Sequence, residues 1–362
     1  MTERVFNFSA GPATLPLSVL QQAQSELLCY PGAGASVMEI SHRSKAFGKI
    51  LAEAKADIKA LLNLGDDYHV LFTPGGATMQ FTMLAMNFLA GKTADYTNVG
   101  SWSSKAMKDA QRFGTTRAIW SGKADNYIRM PEDHELDLDP AAEYVHITSN
   151  ETIHGTQIIT EPDVNGKPLL CDASSDFLSR PIAANKYAMI YAGAQKNVGP
   201  SGTAVVILRN DMLERVPEGL PALLDYKVMV ENDSLYNTPS TFTIYVIGLV
   251  VKWLRNEIGG LEKIAEINEK KAGLLYDAID NSGGYYRGHA DRAYRSKMNV
   301  TFRVGNEEQE KIFIDQATKA GLDGLKGHRS VGGCRASIYN AMPVEGVQTL
   351  RDFMLEFQRT NG

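Results

Sequence analysis

The chain has 362 residues, of which 44% are hydrophobic and 22% charged, and its formal net charge is −5. That length is enough for about two domains with a sizeable buried core, and the composition is that of an ordinary globular protein. The mild negative charge and the lack of any basic run argue against a nucleic-acid binder.

The spacing of the cysteines and the lengths of the apolar runs indicate in which cellular compartment the protein is expected. Cys29, Cys171 and Cys334 are far apart and show no C-x-x-C spacing, so we expect neither a disulfide framework nor a metal site. The N-terminal residues do not resemble a signal peptide, and the apolar-rich run over 242–254 is shorter than the roughly 20 residues that cross a bilayer. These patterns predict a cytoplasmic location without membrane contact.

The first two thirds of the chain alternate helical and strand-like patterns. Apolar residues at helical spacing predict helices over 16–28 and 47–62. Strand propensity marks further short runs at 69–72, 95–99, 115–120, 144–148, 169–171, 188–192 and 204–208. This alternation favours an α/β fold, a large domain with a mainly parallel mixed sheet flanked by helices.

The pattern changes after the last of these strands. A poorly periodic loop over 223–240 is long enough to be functional or disordered. An apolar helix over 241–254 and an amphipathic helix over 261–281 follow. The remaining residues then alternate strand, helix, strand and a closing helix over 345–358. We therefore predict a large domain over 16–258 and a smaller α+β domain formed by 1–15 and 259–362.

A glycine turn, Thr73-Pro-Gly-Gly-Ala-Thr78, stands between a predicted strand and a predicted helix. Such a junction leaves several backbone N–H groups unpaired and pointing the same way, which makes a cradle for phosphate. The turn matches neither a Walker A loop nor a G-x-G-x-x-G fingerprint.

A second glycine-rich turn carries Lys196 and follows the run 188–192, while Asp172 ends the run 169–171. A lysine amine attacks carbonyl compounds when burial or a neighbouring cation lowers its pKa. Together with an aspartate that keeps the pyridine nitrogen protonated, such a lysine is what a pyridoxal phosphate site needs. Gly76, Trp102 and Thr152 also follow predicted strands, and ligands of such sheets bind beyond the carboxyl ends of the strands.

Eight motifs in the same order resemble those of the phosphoserine aminotransferase family, and they extend over essentially the whole chain. They are Asn7-Phe-Ser-Ala-Gly-Pro, Glu39-Ile-Ser-His-Arg-Ser-Lys, Asn98-Val-Gly-Ser-Trp-Ser, Asn150-Glu-Thr-Ile-His-Gly, Asp172-Ala-Ser-Ser-Asp-Phe, Tyr191-Ala-Gly-Ala-Gln-Lys-Asn, Tyr236-Asn-Thr-Pro-Ser and His328-Arg-Ser-Val-Gly-Gly-Cys-Arg. The resemblance implies a fold-type I transaminase that depends on pyridoxal 5'-phosphate and works as a homodimer with shared active sites.

The resemblance also implies roles for individual residues. Lys196 would be the Schiff-base lysine and would move the proton at the substrate α-carbon. Asp172 would pair with the pyridine nitrogen, Trp102 would stack on the ring, and Thr152 would bind the phenolic oxygen. The phosphate would be held by Gly76, Ala77, Thr78 and Gln195, joined by Asn237 and Thr238 of the partner subunit.

The substrates that the resemblance implies, L-glutamate and 3-phosphohydroxypyruvate, both carry an α-carboxylate and a second anionic group, so two separate basic sites are expected. Arg335 matches the residue that binds the α-carboxylate, and His42, Arg43, His328 and Arg329 would receive the distal carboxylate or phosphate. Some family members carry an arginine in the glycine turn where this chain has Thr78 or a neighbour, so one phosphate contact would be missing here. The products would be O-phospho-L-serine and 2-oxoglutarate, in serine and possibly pyridoxine biosynthesis.

Three alternatives remain open. Another class V enzyme, such as an alanine:glyoxylate aminotransferase or a cysteine desulfurase, would share Asp172 and Lys196. A desulfurase needs a reactive cysteine on a mobile loop, whereas Cys171 directly precedes Asp172 in an apolar run. A non-enzymatic phosphate-binding module could be built on the turn at 73–78. A Rossmann dehydrogenase is disfavoured, because the required glycine spacing is missing.

Overall fold

The structure is a computed structural model, and it describes residues 4–362. The helices are α1 (Leu17–Glu26), α2 (Lys45–Leu61), α3 (Ala77–Phe88), α4 (Ser101–Ala110), α5 (Tyr226–Glu231), α6 (Thr241–Lys252), α7 (Leu261–Asp280), α8 (Glu307–Lys319) and α9 (Val344–Asn361). The strands are β1 (Phe6–Asn7), β2 (Tyr68–Pro74), β3 (Thr93–Asn98), β4 (Thr115–Ser121), β5 (Val145–Thr148), β6 (Asn150–Glu151), β7 (Thr156–Gln157), β8 (Leu169–Asp172), β9 (Tyr187–Gly193), β10 (Thr203–Arg209), β11 (Tyr286–Gly288), β12 (Asn299–Val304), β13 (Leu322–Asp323) and β14 (Cys334–Ser337).

A seven-stranded sheet forms the centre of the molecule, in the order β2-β10-β9-β8-β5-β3-β4. Only β10 runs antiparallel to its two neighbours within this sheet, and the other pairs are parallel. All seven residues of β9 are buried, as expected for a strand covered on both faces. The mainly parallel mixed sheet predicted from the alternation of patterns is confirmed.

The helices cover the two faces of this sheet with separate hydrophobic cores. One core joins the sheet to α2 and α6 through residues such as Phe47 and Ile247. The other joins it to α3 and α4 through residues such as Phe81 and Ala106. The sheet is therefore a middle layer, and the carboxyl ends of β3, β5, β8 and β9 open at one edge.

A third core lies in the C-terminal part of the chain. It contains Phe8 and buried side chains from residues 272–357, around the antiparallel sheet β11-β12-β14. Strand β1 pairs in parallel with β13 and so brings the N-terminal segment to this core. Helix α7 belongs to two cores, since Leu261 packs in the first and Leu275 in the third. Residues 1–3, with which the predicted smaller domain begins, lie outside the described residues.

The segment predicted as a structureless loop over 223–240 is partly helical, so that prediction is wrong for its first half. Helix α5 begins after Asp225, whose carboxylate accepts hydrogen bonds from the backbone N–H groups of Lys227 (2.7 Å) and Val228 (3.4 Å). Tyr226 and Met229 anchor it in the core. Six residues are too few for an apolar period to be visible in the sequence.

Helix α6 is an internal element of the fold. Its residues 243–251 are all buried, and it packs against α2. It continues into a π-helical turn, Trp253–Ile258. Across residues 4–362, no helix has the length and apolar character needed to cross a bilayer.

Candidate active site

A cavity of about 390 Å³ opens at the carboxyl edge of the central sheet. Ten of the predicted site residues line it: Gly76, Ala77, Thr78, Trp102, Thr152, Asp172, Gln195, Lys196, His328 and Arg335. The cavity therefore brings together residues that are up to 259 positions apart, between Gly76 and Arg335. These ten residues come from both glycine turns, from strand ends and from the C-terminal part, so it is the tertiary fold that brings them together.

Lys196 lies in the turn between β9 and β10, with its side chain facing the cavity. Its Nζ donates a hydrogen bond to Thr152 Oγ1 at 2.6 Å. Burial lowers the pKa of Lys196, and the carboxyl groups of Asp172 and Glu151 oppose that shift. Thr152 holds the amine at one point only, so the remaining positions of the nitrogen face the cavity and are free for chemistry.

Asp172 is the last residue of β8 and is 5% exposed. Its Oδ1 accepts a hydrogen bond from the Ser174 backbone N–H at 2.9 Å. Burial raises the pKa of Asp172, and the neighbouring Lys196 opposes that shift. A buried carboxyl with one fixed oxygen can bind a cationic N–H group that enters the cavity.

The first glycine turn has the geometry of an anion cradle. Gly75 has a left-handed backbone (φ 85°), which turns the chain from β2 into α3. Gly76 is the N-cap of α3 and makes no side-chain capping hydrogen bond, so first-turn N–H groups remain for a ligand in the cavity. The Gln195 side chain lies beside this turn, packed so closely that a Cβ on Gly193 would be 2.9 Å from its Oε1.

Trp102 lies in the first turn of α4, which follows β3. Its ring centroid is 5.5 Å from Lys196 Nζ. Its backbone N–H donates to Glu151 Oε2 at 3.2 Å, and its indole Nε1 is buried without a partner among the described residues. The ring therefore forms one wall of the cavity next to the amine.

Two basic side chains from the C-terminal part, Arg335 and His328, also line the cavity. Arg335, in β14, donates from Nη1 to the Thr152 carbonyl oxygen at 3.3 Å. His328 Nδ1 pairs with Ser330 Oγ at 2.7 Å. Burial lowers the pKa of His328, and Arg335 and Arg329 act in the same direction. These side chains suit an anionic substrate group.

Five predicted residues do not line the cavity: His42, Arg43, Asn237, Thr238 and Arg329. The side chain of Arg43 is exposed, and so is that of Arg329 on the loop beside His328. The Nδ2 of Asn237 bonds within its own loop, to the Thr238 carbonyl oxygen at 3.1 Å. A single chain thus assembles the cavity without these five side chains.

Several residues that received no predicted role also line the cavity, namely Ala10, Gly11, Phe81, Thr148, Asn150, Ile153, Ser174 and Ser175. Gly11 lies against the lysine, since a Cβ there would be 3.3 Å from Lys196 Cγ. Asn150 Nδ2 donates to Ser175 Oγ at 2.8 Å and to Asn299 Oδ1 at 2.8 Å. Gly11, Asn150 and Ser174 stand within motifs already noted in the sequence, which is the signal that could have found them.

The residues present fit pyridoxal phosphate. Three buried polar atoms of lining residues lack a partner in the described chain: Trp102 Nε1, Gln195 Oε1 and Thr148 Oγ1. Unpaired polar atoms in a cavity of this kind indicate a polar ligand, because burying them without a partner costs about 1–3 kcal/mol each. The α3 cradle suits a phosphate, Asp172 suits a pyridinium nitrogen, and Lys196 suits an aldehyde.

Comparison with known proteins agrees with a pyridoxal phosphate site in this cavity. Residues 5–350 match the family Aminotransferase class-V. A phosphoserine aminotransferase of Desulfosudis oleivorans is 55% identical over 364 residues, which is 100% of each chain. The structure of phosphoserine aminotransferase from Bacillus circulans subsp. alkalophilus is 51% identical, covers 100% of both chains and superposes with a TM-score of 0.97. The PLP-bound phosphoserine aminotransferase of Trichomonas vaginalis is 38% identical, with a TM-score of 0.92 over 97% of this chain and 100% of that one.

These matches confirm the resemblance drawn from the eight motifs. They also confirm the fold-type I architecture and the prediction of a transaminase that depends on pyridoxal phosphate. The chain belongs to the class-V aminotransferase family.

Proposed function

We propose that this chain catalyses the reversible transamination of 3-phosphohydroxypyruvate with L-glutamate, giving O-phospho-L-serine and 2-oxoglutarate. The observation that carries the proposal is one cavity in which Lys196, Asp172 and Arg335 converge with the anion cradle of α3. Full-length relatives with that name at 55% and 51% identity support the substrate assignment.

Each side chain of the cavity has a distinct task. Pyridoxal phosphate, when bound, supplies an electron sink for the carbanion that forms at the substrate α-carbon. Lys196 would be the amine that holds the cofactor through its aldehyde group, and its Nζ is the group that can accept and return the proton of the substrate α-carbon as general base and acid. The lowered pKa of Lys196 favours the neutral amine, which is the form that can bond to the aldehyde and accept the α-proton. Asp172 would hold the proton on the pyridine nitrogen of the cofactor, and Thr152 keeps the lysine Nζ oriented.

Substrate anions are assigned to cations on separate elements. Arg335 binds the α-carboxylate, because its guanidinium is fixed at the cavity wall by the Thr152 carbonyl oxygen. His328 and the exposed Arg329 on the same loop receive the distal phosphate or carboxylate. Trp102, whose ring lies beside the Lys196 amine, would cover the cofactor ring and keep water from the reacting carbon.

We further propose a homodimer in which each active site is shared. His42, Arg43, Asn237 and Thr238 lie outside the cavity of their own chain. In a twofold dimer, a residue outside its own site can complete the site of the partner.

We also propose that the chain has two domains, one over 16–258 and the other formed by 1–15 and 259–362. The separate core around Phe8 and Leu275 supports this division. We place the enzyme in the cytoplasm, where its free thiols would stay reduced.

A visible-absorption titration of the purified protein tests the chemistry. Pyridoxal phosphate should give a bound chromophore in the wild type, glutamate should bleach it, and 3-phosphohydroxypyruvate should restore it. A chromophore that glutamate bleaches, but that the phosphorylated keto acid does not restore, would contradict this acceptor. Absence of any chromophore would contradict the assignment of Lys196.

Co-expression of two inactive variants tests the shared site. Lys196→Ala and Asn237→Ala subunits should each give little activity alone. A mixed dimer contains one intact site, so random pairing should restore about a quarter of wild-type activity. Failure to recover any activity from isolated mixed dimers would show that Asn237 does not serve the partner.

A further inference from the structure

Glu151 is a buried carboxyl next to the active site, and none of the roles given above uses it. It is the second residue of strand β6 and is 0% exposed. Within residues 4–362, no Lys or Arg forms an ion pair with it, and its nearest basic atom is His154 Nδ1 at 4.0 Å from Oε1. A buried carboxyl without an ion-pair partner is costly, so its position calls for an explanation.

The carboxyl of Glu151 is a cap for helix α4. Its Oε2 accepts the backbone N–H of Trp102 at 3.2 Å. The Ser103 hydroxyl accepts the neighbouring N–H groups of Val99 (2.9 Å) and Gly100 (3.0 Å). The first turn of α4 is thus held by two side chains, and the one that binds Trp102 comes from another element. A carboxylate at a helix N-terminus is favourable because the helix dipole is positive there.

Gly100 makes room for this contact. A Cβ at that position would lie 2.5 Å from the Glu151 Cδ, Cγ and Oε2 atoms. Any side chain larger than hydrogen would therefore displace the carboxyl from the helix. The glycine at the start of α4 and the glutamate in β6 form one matched contact that fixes the backbone of Trp102.

Charged groups from every neighbouring element face this carboxyl. Burial raises the pKa of Glu151 to about 7, Lys196 from the β9–β10 turn opposes the shift, and Asp172 from β8 adds to it. Burial lowers the pKa of Lys196 and that of Arg335 in β14, and the charge of Glu151 opposes both shifts. His154 is on the same hairpin, and burial lowers its pKa to about 4. On α4 itself, Lys105 Nζ lies 5.7 Å from the Trp102 ring centroid.

We propose that Glu151 is a positioning residue that holds Trp102 in place and couples its position to the charge of Lys196. When Lys196 carries its proton, the attraction favours the carboxylate, which binds the Trp102 N–H strongly. When Lys196 is neutral, Glu151 takes up a proton more readily and the contact weakens. The inference rests on the proposed function only where it assigns Trp102 to the cofactor ring.

Selective ¹⁵N-tryptophan labelling of the cofactor-free protein tests the coupling directly. The chain has three tryptophans, and Trp102→Phe identifies the Trp102 signals. We expect the Trp102 backbone amide to titrate near pH 7 in the wild type and to lose that titration in Glu151→Gln. In Lys196→Ala the titration should move to higher pH, because a neighbouring positive charge is gone. Glu310→Gln, which changes another buried carboxyl, paired with Arg303, is the matched control and should leave the titration unchanged.

Two outcomes would overturn the proposal. One is a Trp102 amide that does not titrate in the wild type, and the other is a titration that survives Glu151→Gln. If Glu151→Gln does not fold, Glu151→Asp provides the second test, since it keeps the charge but shortens the reach to the Trp102 N–H. In Glu151→Asp, the signal of the Trp102 backbone amide should therefore no longer change near pH 7.

A binding measurement shows whether the position of Trp102 matters for the cofactor. Glu151→Gln should bind pyridoxal phosphate about tenfold more weakly above neutral pH, the size expected for one charged hydrogen bond, with a smaller loss at low pH. An equal loss at all pH values would indicate a merely structural role and would count against the coupling. These readouts need no substrate, so their failure is distinct from failure of the proposed transamination.

Discussion

Two lysines of this protein are enclosed by the fold, and their surroundings differ in one decisive respect. Lys196 Nζ has a single acceptor, the Thr152 hydroxyl, and faces a cavity. Lys271, on α7, is 0% exposed, and its Nζ donates to the carbonyl oxygens of Ile338 (2.8 Å), Tyr339 (2.7 Å) and Met342 (3.1 Å). Lys271 is fully buried, whereas Lys196 is half-buried at the cavity wall, so only Lys196 has room for a reaction.

The comparison teaches that burial alone does not make a lysine a nucleophile. Burial lowers the pKa of both residues, to about 7 for Lys271. The three donors of the Lys271 ammonium are satisfied by the segment 338–342, so this lysine holds that segment onto α7. The charges of Asp172 and Glu151 instead act on Lys196 by opposing the burial-induced drop in its pKa. Neither carboxyl blocks access of a ligand to the amine.

The largest effect is expected for Lys196→Ala. Transaminase activity should fall by about five orders of magnitude, because the amine that moves the α-proton is gone. The melting temperature should change little, since the amine makes only one hydrogen bond. Steady-state kinetics and thermal unfolding measure the two effects. Lys186→Ala, at an exposed lysine, is the control and should retain full activity. Substantial residual turnover in Lys196→Ala would contradict the assignment.

Lys271→Met should show the opposite pattern. Three carbonyl oxygens would lose their donor in a buried site, so we expect a loss of about 4 kcal/mol in the free energy of unfolding. Activity per folded molecule at low temperature should remain. Chemical denaturation gives the stability, and the neighbouring exposed Lys270→Met is the matched control. A variant as stable as the control would show that the carbonyl cage contributes nothing.

The role of Lys196 could be predicted from the sequence, whereas that of Lys271 could not. Lys196 stood out because a glycine-rich turn after a strand is typical of a cofactor lysine, and the parallel sheet followed from the alternation of patterns. Lys271 belongs to a helix rich in Lys and Glu, where a lysine is ordinarily solvated. Its burial depends on the segment 338–342, nearly 70 residues away, and no local pattern encodes that contact.

The site shows the same limit. Residues at strand ends were found because parallel strands open at one edge. Glu151 stands inside a noted motif, yet only tertiary packing shows that its carboxyl reaches α4. His42, Arg43, Asn237 and Thr238 came from the resemblance, and the fold of one chain does not bring them to the cavity.

The third prediction concerns the carboxyl that faces Lys196 and has no counterpart at Lys271. Because burial raises the pKa of Glu151 from 4.5 to about 7, the folded state binds this proton more tightly than the unfolded state. Its contribution to stability is therefore present at low pH and is lost as the pH rises from about 4.5 to 7, by up to about 3 kcal/mol.

Glu151→Gln removes this titration. The unfolding free energy of the variant minus that of the wild type should therefore increase by up to about 3 kcal/mol as the pH rises from about 5 to about 8. Denaturation midpoints at both pH values measure the change, with Glu310→Gln as the control. A stability difference that is the same at both pH values would mean that Glu151 keeps its charge throughout.

The smallest effect is expected at the single contact that orients the reactive amine. Thr152→Val keeps the shape of the side chain but removes the oxygen that accepts from Lys196 Nζ. Losing this acceptor should lower the pKa of Lys196 further, since the hydroxyl favours the ammonium form. We expect kcat to fall about tenfold, the size of one hydrogen bond. The low-pH limb of the kcat profile should move to lower pH.

Thr152→Ser separates orientation from packing, because it retains the hydroxyl and loses only a methyl group. It should keep the wild-type pH profile even if its stability falls slightly. If Thr152→Ser and Thr152→Val lose activity equally and share one pH profile, the methyl group and not the hydrogen bond would be what Lys196 requires. In that case Lys196 would be held by packing, as side chains in the core are, and the difference between the two lysines would reduce to access to the cavity.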